Sequence, residues 1–249
     1  MANPLTSPRK LEDHCVDLWL IPLEPPGAAL ADDAANVESW LTAAEMQTSA
    51  KRLRPADRLV YRRSHAALRA ILGEYVGRSA AMNDFVLGPH QKPGLASCVI
   101  ASHGPLEFNL SHSGTWATVA VSRRPVGVDI ERQRPLANLE GMTRRWCSVA
   151  EQMRLAPGSV QQRTQVFFEC WTSKEALLKA IGCGVAGGIS QVTSPEYTAH
   201  AWQAWRAPAD LGGGAWRCRG FTPEAGYLGA VVVEPQVERL ELCNFAWAK

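Results

Sequence analysis

The sequence predicts an α+β protein built from two halves of similar size. Of its 249 residues, 46% are hydrophobic, which is enough to bury a substantial core. The order strand, helix, strand hairpin occurs before about residue 124 and recurs loosely afterwards. The link at 122–125 (Ser-Arg-Arg-Pro) is short, so the halves should pack closely. We therefore predict an N-terminal half over 1–124 and a C-terminal half over 125–249.

Composition excludes several classes of protein. The net charge is only +2 and no long basic stripe is present, so a nucleic-acid partner is not expected. The cysteines are odd in number and scattered, without a CxxC pair, which predicts reduced thiols and no structural zinc site. The first twenty residues do not resemble a secretory signal, and no apolar run is long enough for a membrane span. We expect a cytoplasmic protein without a membrane partner.

The N-terminal half begins with an expected core strand at Cys15–Leu23, followed by a helical stretch at Asn36–Ala50. A long basic helix is predicted over Lys51–Val76, with Pro55 near its start. This basic segment is either a solvated face or an anion site in which guanidinium groups near a helix start bind phosphate. Residues 83–95 are predicted to form a loop that carries Lys92 on a rigid turn.

A hairpin with a polar tip is predicted over Leu106–Val121, with Ser111–Gly114 as the tip. A histidine in a turn is more often structural than catalytic. His112 is flanked by two serines, however, and this arrangement offers ring N–H and hydroxyl donors to a phosphate.

The next strand, Val126–Glu131, alternates between apolar and acidic residues. Strand geometry places Asp129 and Glu131 on one face and the apolar side chains on the other. Two neighbouring carboxylates repel unless a cation lies between them, and Mg²⁺ prefers such oxygen ligands. The alternative is a strand edge that faces solvent.

The C-terminal half continues with helical turns at Glu140–Leu155, where Ser148 and Glu151 form a capping-box pattern. A helix is predicted over Phe167–Gly184. Glu175 and Lys179 lie four residues apart and project from one face of it, either as a surface ion pair or as a metal ligand beside a phosphate-binding lysine. Further strands are predicted at Ala201–Trp205, Ala215–Arg219, Tyr227–Val233 and Glu238–Phe245.

Three motifs stand in order along the chain: FNLSHS at 108–113, GVDIE at 127–131 and WTSKEALLK at 171–179, with KPG at 92–94 before them. In this order and spacing they resemble the signatures of the Sfp-type 4′-phosphopantetheinyl transferases. The resemblance covers roughly residues 50 to 190, and Trp171 with the KEA sequence is similar to the W/KEA subgroup. One departure is Gln91, which stands where many members carry glycine before Lys-Pro.

The resemblance implies two α/β halves related by a pseudo-twofold, with the active site in the cleft between them. It implies transfer of 4′-phosphopantetheine from coenzyme A to a serine of an apo acyl or peptidyl carrier protein, with release of adenosine 3′,5′-bisphosphate. The implied magnesium ligands are Asp129, Glu131 and Glu175. The implied residues for coenzyme A are Arg52, Lys92, Pro93, Ser111, His112 and Lys179.

The candidate catalytic residues are Glu175, Lys179, Asp129 and His112. A bound magnesium ion and Lys179 would offset the charge that builds on the phosphoryl oxygens, and Glu175 is a candidate base for the serine proton, directly or through a metal-bound water. The alternatives are a catalytically silent module that binds coenzyme A or a carrier protein, and an unrelated magnesium-dependent nucleotide hydrolase. The carriers would belong to fatty-acid, polyketide or nonribosomal-peptide synthesis. We expect a monomer.

Overall fold

The structure is a computed structural model that describes residues 8–24, 34–77, 85–87, 93–183 and 188–247. The α-helices of this part of the chain are α1 Ala34–Ser39, α2 Ala43–Ala50, α3 Pro55–Val76, α4 Ser97–His103, α5 Leu139–Trp146, α6 Val149–Leu155 and α7 Val160–Ile181. The strands are β1 Cys15–Pro22, β2 Phe85–Leu87, β3 Pro93–Leu95, β4 Glu107–Ser113, β5 Trp116–Ser122, β6 Val126–Arg132, β7 Gln203–Arg206, β8 Ala215–Phe221, β9 Tyr227–Val233 and β10 Arg239–Asn244.

These elements confirm the α+β fold class. One four-stranded sheet has the order β10-β1-β5-β4 and the other has the order β6-β9-β8-β7. A 22-residue helix belongs to each half, α3 in the first and α7 in the second. Strands β2 and β3 pair with each other where a loop was predicted over 83–95.

The N-terminal sheet is buried on both faces of β1. Trp19 and Ile21 pack toward α3, where Leu68 and Leu72 are fully buried. Val16, Leu18 and Leu20 point the other way, because side chains alternate along a strand. They pack in a core shared with Val126, Val128, Ile130, Val231 and Val233 of the second sheet. The halves are therefore joined by a common apolar core, as the short link between them predicts.

Helix α7 packs closely on β6 and β9. Ala176 and Ala180 present small side chains to the sheet, and a Cβ at Gly127 would clash with the backbone of both residues. This contact fixes the faces of β6, with Gly127, Asp129 and Glu131 toward α7 and the valines in the shared core. The predicted alternation of β6 is confirmed.

Local signals are confirmed at several helix ends. Ser148 and Glu151 form the capping box of α6, and Gly182 ends α7 with a left-handed φ of 81°. Helix α7 begins at Val160, before the predicted start at Phe167, because Ser159 caps it with Gln162. Pro55 opens α3.

The hairpin prediction was wrong in one respect. Ser111, His112 and Ser113 belong to β4 and pair with β5, so the turn is confined to Gly114 and Thr115. Polar side chains in a strand led to this error. Ser111 and Ser113 face the second half, whereas His112 lies on the other side of β4. Strand β10 also crosses to the first sheet and runs parallel to β1. The division into two halves at residue 124/125 stays a prediction. Residues after 125 contribute strands to both sheets.

Candidate active site

Three carboxylates meet where β6 faces α7, and we call Asp129, Glu131 and Glu175 the carboxylate cluster. Asp129 and Glu131 come from alternate positions of β6, and Glu175 comes from the second-last turn of α7. Asp129 is 5% exposed and Glu175 is 7% exposed. Their acidic side chains are thus held in a poorly solvated place, which costs free energy unless a positive charge compensates it.

Asp129 is bonded on one side only. Its Oδ1 accepts hydrogen bonds from Ser111 Oγ at 2.8 Å and from Lys179 Nζ at 2.7 Å. Its Oδ2 is buried without a hydrogen-bond partner within the described residues. A buried carboxylate oxygen that is left unpaired in this way is rare in folded proteins, and it is free to accept an additional ligand.

Glu175 is the acid of the cluster whose pKa departs furthest from its ordinary value. Burial is the largest cause, and the charges of Asp129 and Glu131 act in the same direction, so the pKa of Glu175 is raised to about 7. Lys179 opposes this rise in pKa but does not cancel it. The Oε1 atom of Glu175 is also buried without a partner among the described atoms.

Glu131 is the more solvated member of the cluster. Its Oε2 accepts a hydrogen bond from Ser113 Oγ at 2.8 Å. Burial and the neighbouring Asp129 raise the pKa of Glu131, although the Ser113 bond opposes the change. Burial is thus the first cause of the raised pKa of Glu131 and of Glu175, and repulsion between the carboxylates adds to it.

Lys179 supplies the positive charge nearest to this cluster among the described residues. Besides Asp129, its Nζ donates to Ser111 Oγ at 3.1 Å and to the Val128 carbonyl at 3.2 Å. Lys179 is therefore paired with an acid fifty residues upstream and not with Glu175. The interpretation of Glu175 and Lys179 as a surface ion pair was wrong, because α7 turns this face toward β6.

His112 lies on the α3 side of β4 and is accessible to solvent. Burial by the surrounding protein and the charges of Arg52, His65 and Lys179 lower the pKa of His112. The Arg52 guanidinium stands 4.5 Å from the centre of the Tyr61 ring, which in turn stacks on His65 at 4.0 Å. The effect of Arg52 on the pKa of His112 indicates that the two side chains lie near each other.

The other arginines of the basic segment either bond to residues of the first half or are exposed to solvent. Arg62 pairs with Glu38, Arg69 pairs with Glu45, and Arg63 donates to the Leu23 carbonyl. Arg54 is exposed. The helix is therefore neither only a solvated face nor only an anion site, because several of its arginines hold α1, α2 and β1 in place.

The remaining site predictions have less structural support. Lys92 lies outside the described residues. Pro93 begins β3. Ser111 is placed beside Asp129 and Lys179, so its hydroxyl contacts the carboxylate cluster, and its predicted contact with coenzyme A stays a prediction.

Two features were missed in the sequence. Asn109 and Ser113 bond to β6 from β4, although both belong to the quoted FNLSHS motif. Lys174 and Glu151 form a fully buried ion pair, in which Lys174 also donates to the carbonyls of Trp146 and Ile189. The available signal for this pair was a lysine inside the apolar stretch of α7, but sequence spacing does not reveal its partner in α6.

Within the described ranges, no group of three histidine, cysteine, aspartate or glutamate side chains is arranged closely enough to hold a metal ion. The donor set nevertheless suits a hard cation, because Asp129 and Glu175 each have a buried carboxylate oxygen without a partner among the described residues. No helix in the described part of the chain is long and apolar enough to cross a membrane.

The chain is similar in sequence to proteins of one family. The family model of the 4′-phosphopantetheinyl transferase superfamily matches residues 125–214, which include β6 and α7. The 4′-phosphopantetheinyl transferase HetI of Nostoc sp. is 36% identical over 172 residues, covering 69% of this chain and 70% of HetI. The 4′-phosphopantetheinyl transferase Sfp of Bacillus subtilis is 35% identical over 79 residues, covering 32% of this chain and 34% of Sfp.

Proposed function

Because this chain belongs to the 4′-phosphopantetheinyl transferase superfamily, we propose that it transfers the 4′-phosphopantetheine group of coenzyme A to a serine of an apo carrier protein. Adenosine 3′,5′-bisphosphate is the second product. The observation that carries the proposal is the carboxylate cluster with Lys179. The three motifs of the sequence contribute to this one place, where β6 packs against both β4 of the first half and α7.

The carboxylate cluster is the proposed site of a magnesium ion, held by Asp129, Glu131 and Glu175. The unpartnered oxygens of Asp129 and Glu175 are available as ligands. A cation would relieve the repulsion between the carboxylates, which adds to burial in raising the pKa of Glu175 and Glu131. When bound, the ion would supply positive charge for the pyrophosphate of coenzyme A.

Coenzyme A also carries a 3′-phosphate, so it needs cations on both sides of the cleft. His112 and Arg52 provide donors on the α3 side, and Lys179 provides an ammonium on the α7 side. Lys92 and Pro93 are proposed to lie beside the adenosine. Lys179 would exchange part of its bonding to Asp129 for a phosphate oxygen, which it can do because its side chain is 27% exposed.

In the transfer, the serine oxygen of the carrier forms a bond to the β-phosphorus of coenzyme A. The bond from that phosphorus to the bridging oxygen of the pyrophosphate breaks, and the bisphosphate leaves. Glu175 is the proposed acceptor of the serine proton, because its buried carboxylate has an oxygen without a hydrogen-bond partner among the described residues. Lys179 stabilises the negative charge that develops on the phosphoryl oxygens.

The test is intact-mass measurement of several apo carrier proteins after incubation with the protein, coenzyme A and Mg²⁺. We expect the mass of one phosphopantetheine group to be added to at least one carrier. Asp129→Ala should form no adduct while its circular dichroism spectrum stays that of the unaltered protein. Absence of the adduct on every carrier would refute the transferase and favour the silent binding module, and release of free phosphopantetheine would favour the hydrolase.

A further inference from the structure

Strands β4 and β6 lie side by side, although they belong to separate hydrogen-bonded sheets. Side chains of β4 bridge the gap at every second residue. Asn109 Oδ1 accepts from the Val128 N–H at 3.0 Å, and Ser113 Oγ accepts from the Arg132 N–H at 3.1 Å. Between these two bonds, Ser111 Oγ donates to Asp129. We call this row the seam.

The seam has a constant register. Asn109 is bonded to the residue nineteen positions later, and so is Ser113, so β4 and β6 run parallel without a slip. A one-residue slip of a strand would turn every side chain of β6 to the opposite face. It would move Asp129 and Glu131 into the shared apolar core and Val128 toward α7. Backbone pairing with β9 fixes β6 within its own sheet, and the side-chain oxygens of the seam fix β6 against β4.

The seam also orients the carboxylate cluster. The Ser113 hydroxyl donates to Glu131 Oε2 while it accepts from the neighbouring Arg132 N–H, so one side chain fixes both the strand and the acid. Asn109 is 8% exposed and its carbonyl oxygen is used by β6. These bonds direct both side chains toward β6 and away from the face of β4 that carries His112.

We propose that Asn109 and Ser113 are positioning residues, which hold β6 in register against β4 and orient Asp129 and Glu131, and that neither binds coenzyme A. The structural part of this inference stands on the seam alone. Its consequence for turnover rests on the proposed function.

The test compares Ser113→Ala with Ser122→Ala. Ser122 is a matched control, because its hydroxyl also accepts a backbone N–H, from Arg124, and donates to an oxygen, the Cys15 carbonyl, far from the carboxylates. Ser113→Thr keeps the hydroxyl and serves as the conservative rescue. Asn109→Ala is measured alongside as a second break in the seam.

The first readout is amide hydrogen exchange by NMR, which needs no activity. Ser113→Ala should speed exchange at Arg132, and Asn109→Ala should do so at Val128, each about tenfold, while Ser122→Ala changes neither. The second is binding of Mn²⁺ to the protein alone, read by electron paramagnetic resonance. Ser113→Ala should weaken it about tenfold, as loss of a group that orients a metal ligand does, and Ser113→Thr should restore it.

The third readout is steady-state transfer to a carrier protein. Ser113→Ala should raise the Mg²⁺ concentration for half-maximal rate about tenfold and leave the Kd for coenzyme A within twofold. Unchanged exchange at Arg132 together with unchanged Mn²⁺ binding would overturn the inference, and so would weaker coenzyme A binding with an unaltered metal requirement. If the unaltered protein transfers nothing, the proposed function fails, and the first two readouts still decide the role of the seam.

Discussion

At the scale of single residues, two lysines of α7 have opposite surroundings. Lys174 is 1% exposed and is bonded to the fully buried Glu151, whereas Lys179 is 27% exposed and faces the carboxylate cluster. A buried ion pair leaves an uncompensated charge when one partner is removed. A lysine with access to solvent can change partners during a reaction, so the two residues should respond differently to replacement.

We expect Lys179→Ala to lower kcat by about 100-fold, because the lost group acts on developing phosphoryl charge. Its cost in the free energy of unfolding should be smaller than that of Lys174→Ala, because Asp129 keeps its hydrogen bond from Ser111. Lys174→Ala should instead cost about 3–5 kcal/mol of stability, because the buried Glu151 loses its closest counter-ion and keeps only the more exposed Arg154, at 3.7 Å. Urea unfolding and initial transfer rates measure both effects. Equal rates for Lys179→Ala and the unaltered protein would remove the proposed role of Lys179.

Glu45 gives a prediction about pH. Burial would raise its pKa, but hydrogen bonds from His65, Thr42 and Arg69 outweigh burial and lower the pKa to about 2. A depressed carboxylate pKa contributes stability above the unfolded value near 4.5, and this contribution disappears as the pH falls from there toward 2. The shift corresponds to about 3 kcal/mol at neutral pH.

Glu45→Gln keeps an acceptor for the capping box of α2 and removes the charge. The unaltered protein should therefore be more stable than this variant at pH 6, and the difference should shrink between pH 4.5 and pH 3. Urea unfolding at several pH values measures the difference. A difference that does not depend on pH would assign the effect to packing alone.

At the scale of elements, the contact of β6 with α7 is the one that assembles the carboxylate cluster. It depends on Gly127, where a side chain would meet the backbone of Ala176 and Ala180. Sequence patterns predicted both elements, the alternation in β6 and the acid and lysine on α7. They did not predict the distance between the two, because close approach depends on which small residues face each other after folding.

Gly127→Ala should destabilise the protein by about 1–3 kcal/mol, since either β6 or α7 must shift to admit the methyl group. Transfer activity should fall with it, because Asp129 and Glu175 would move apart. Gly94→Ala in β3 is the control, where the new Cβ would approach only the Val86 carbonyl, at 3.9 Å. Thermal unfolding of both variants tests the prediction, and equal midpoints would contradict it.

At the scale of the whole molecule, the C-terminal segment packs against the N-terminal strand of the fold. Strand β10 runs parallel to β1 at the edge of the first sheet, and Phe245 and Trp247 pack against the core of the first half. The hydrogen bonds of β1 on this side therefore depend on the last segment of the chain. Together with the shared core between the sheets, this arrangement makes each half depend on the other.

Truncation after residue 238 should lower the unfolding midpoint by more than about 5 °C and should speed amide exchange in β1, because β10 then no longer pairs with it. Leu242→Ala is the control, since this side chain is 57% exposed and its loss leaves the backbone pairing intact. If the truncated protein keeps the exchange protection of β1, the pairing with β10 does not stabilise the first half.

The sequence by itself determined the α+β class, the faces of β6, the ends of the capped helices and the residue types of the site. These properties depend on local periodicity, capping and motif order, which are readable along the chain. Only the tertiary structure decided the partners of those residues. Lys179 is paired with Asp129, Lys174 with Glu151, and the FNLSHS segment joins β6 as a strand edge. Such pairings depend on packing between residues that are distant in sequence, and no local pattern encodes the distance between them.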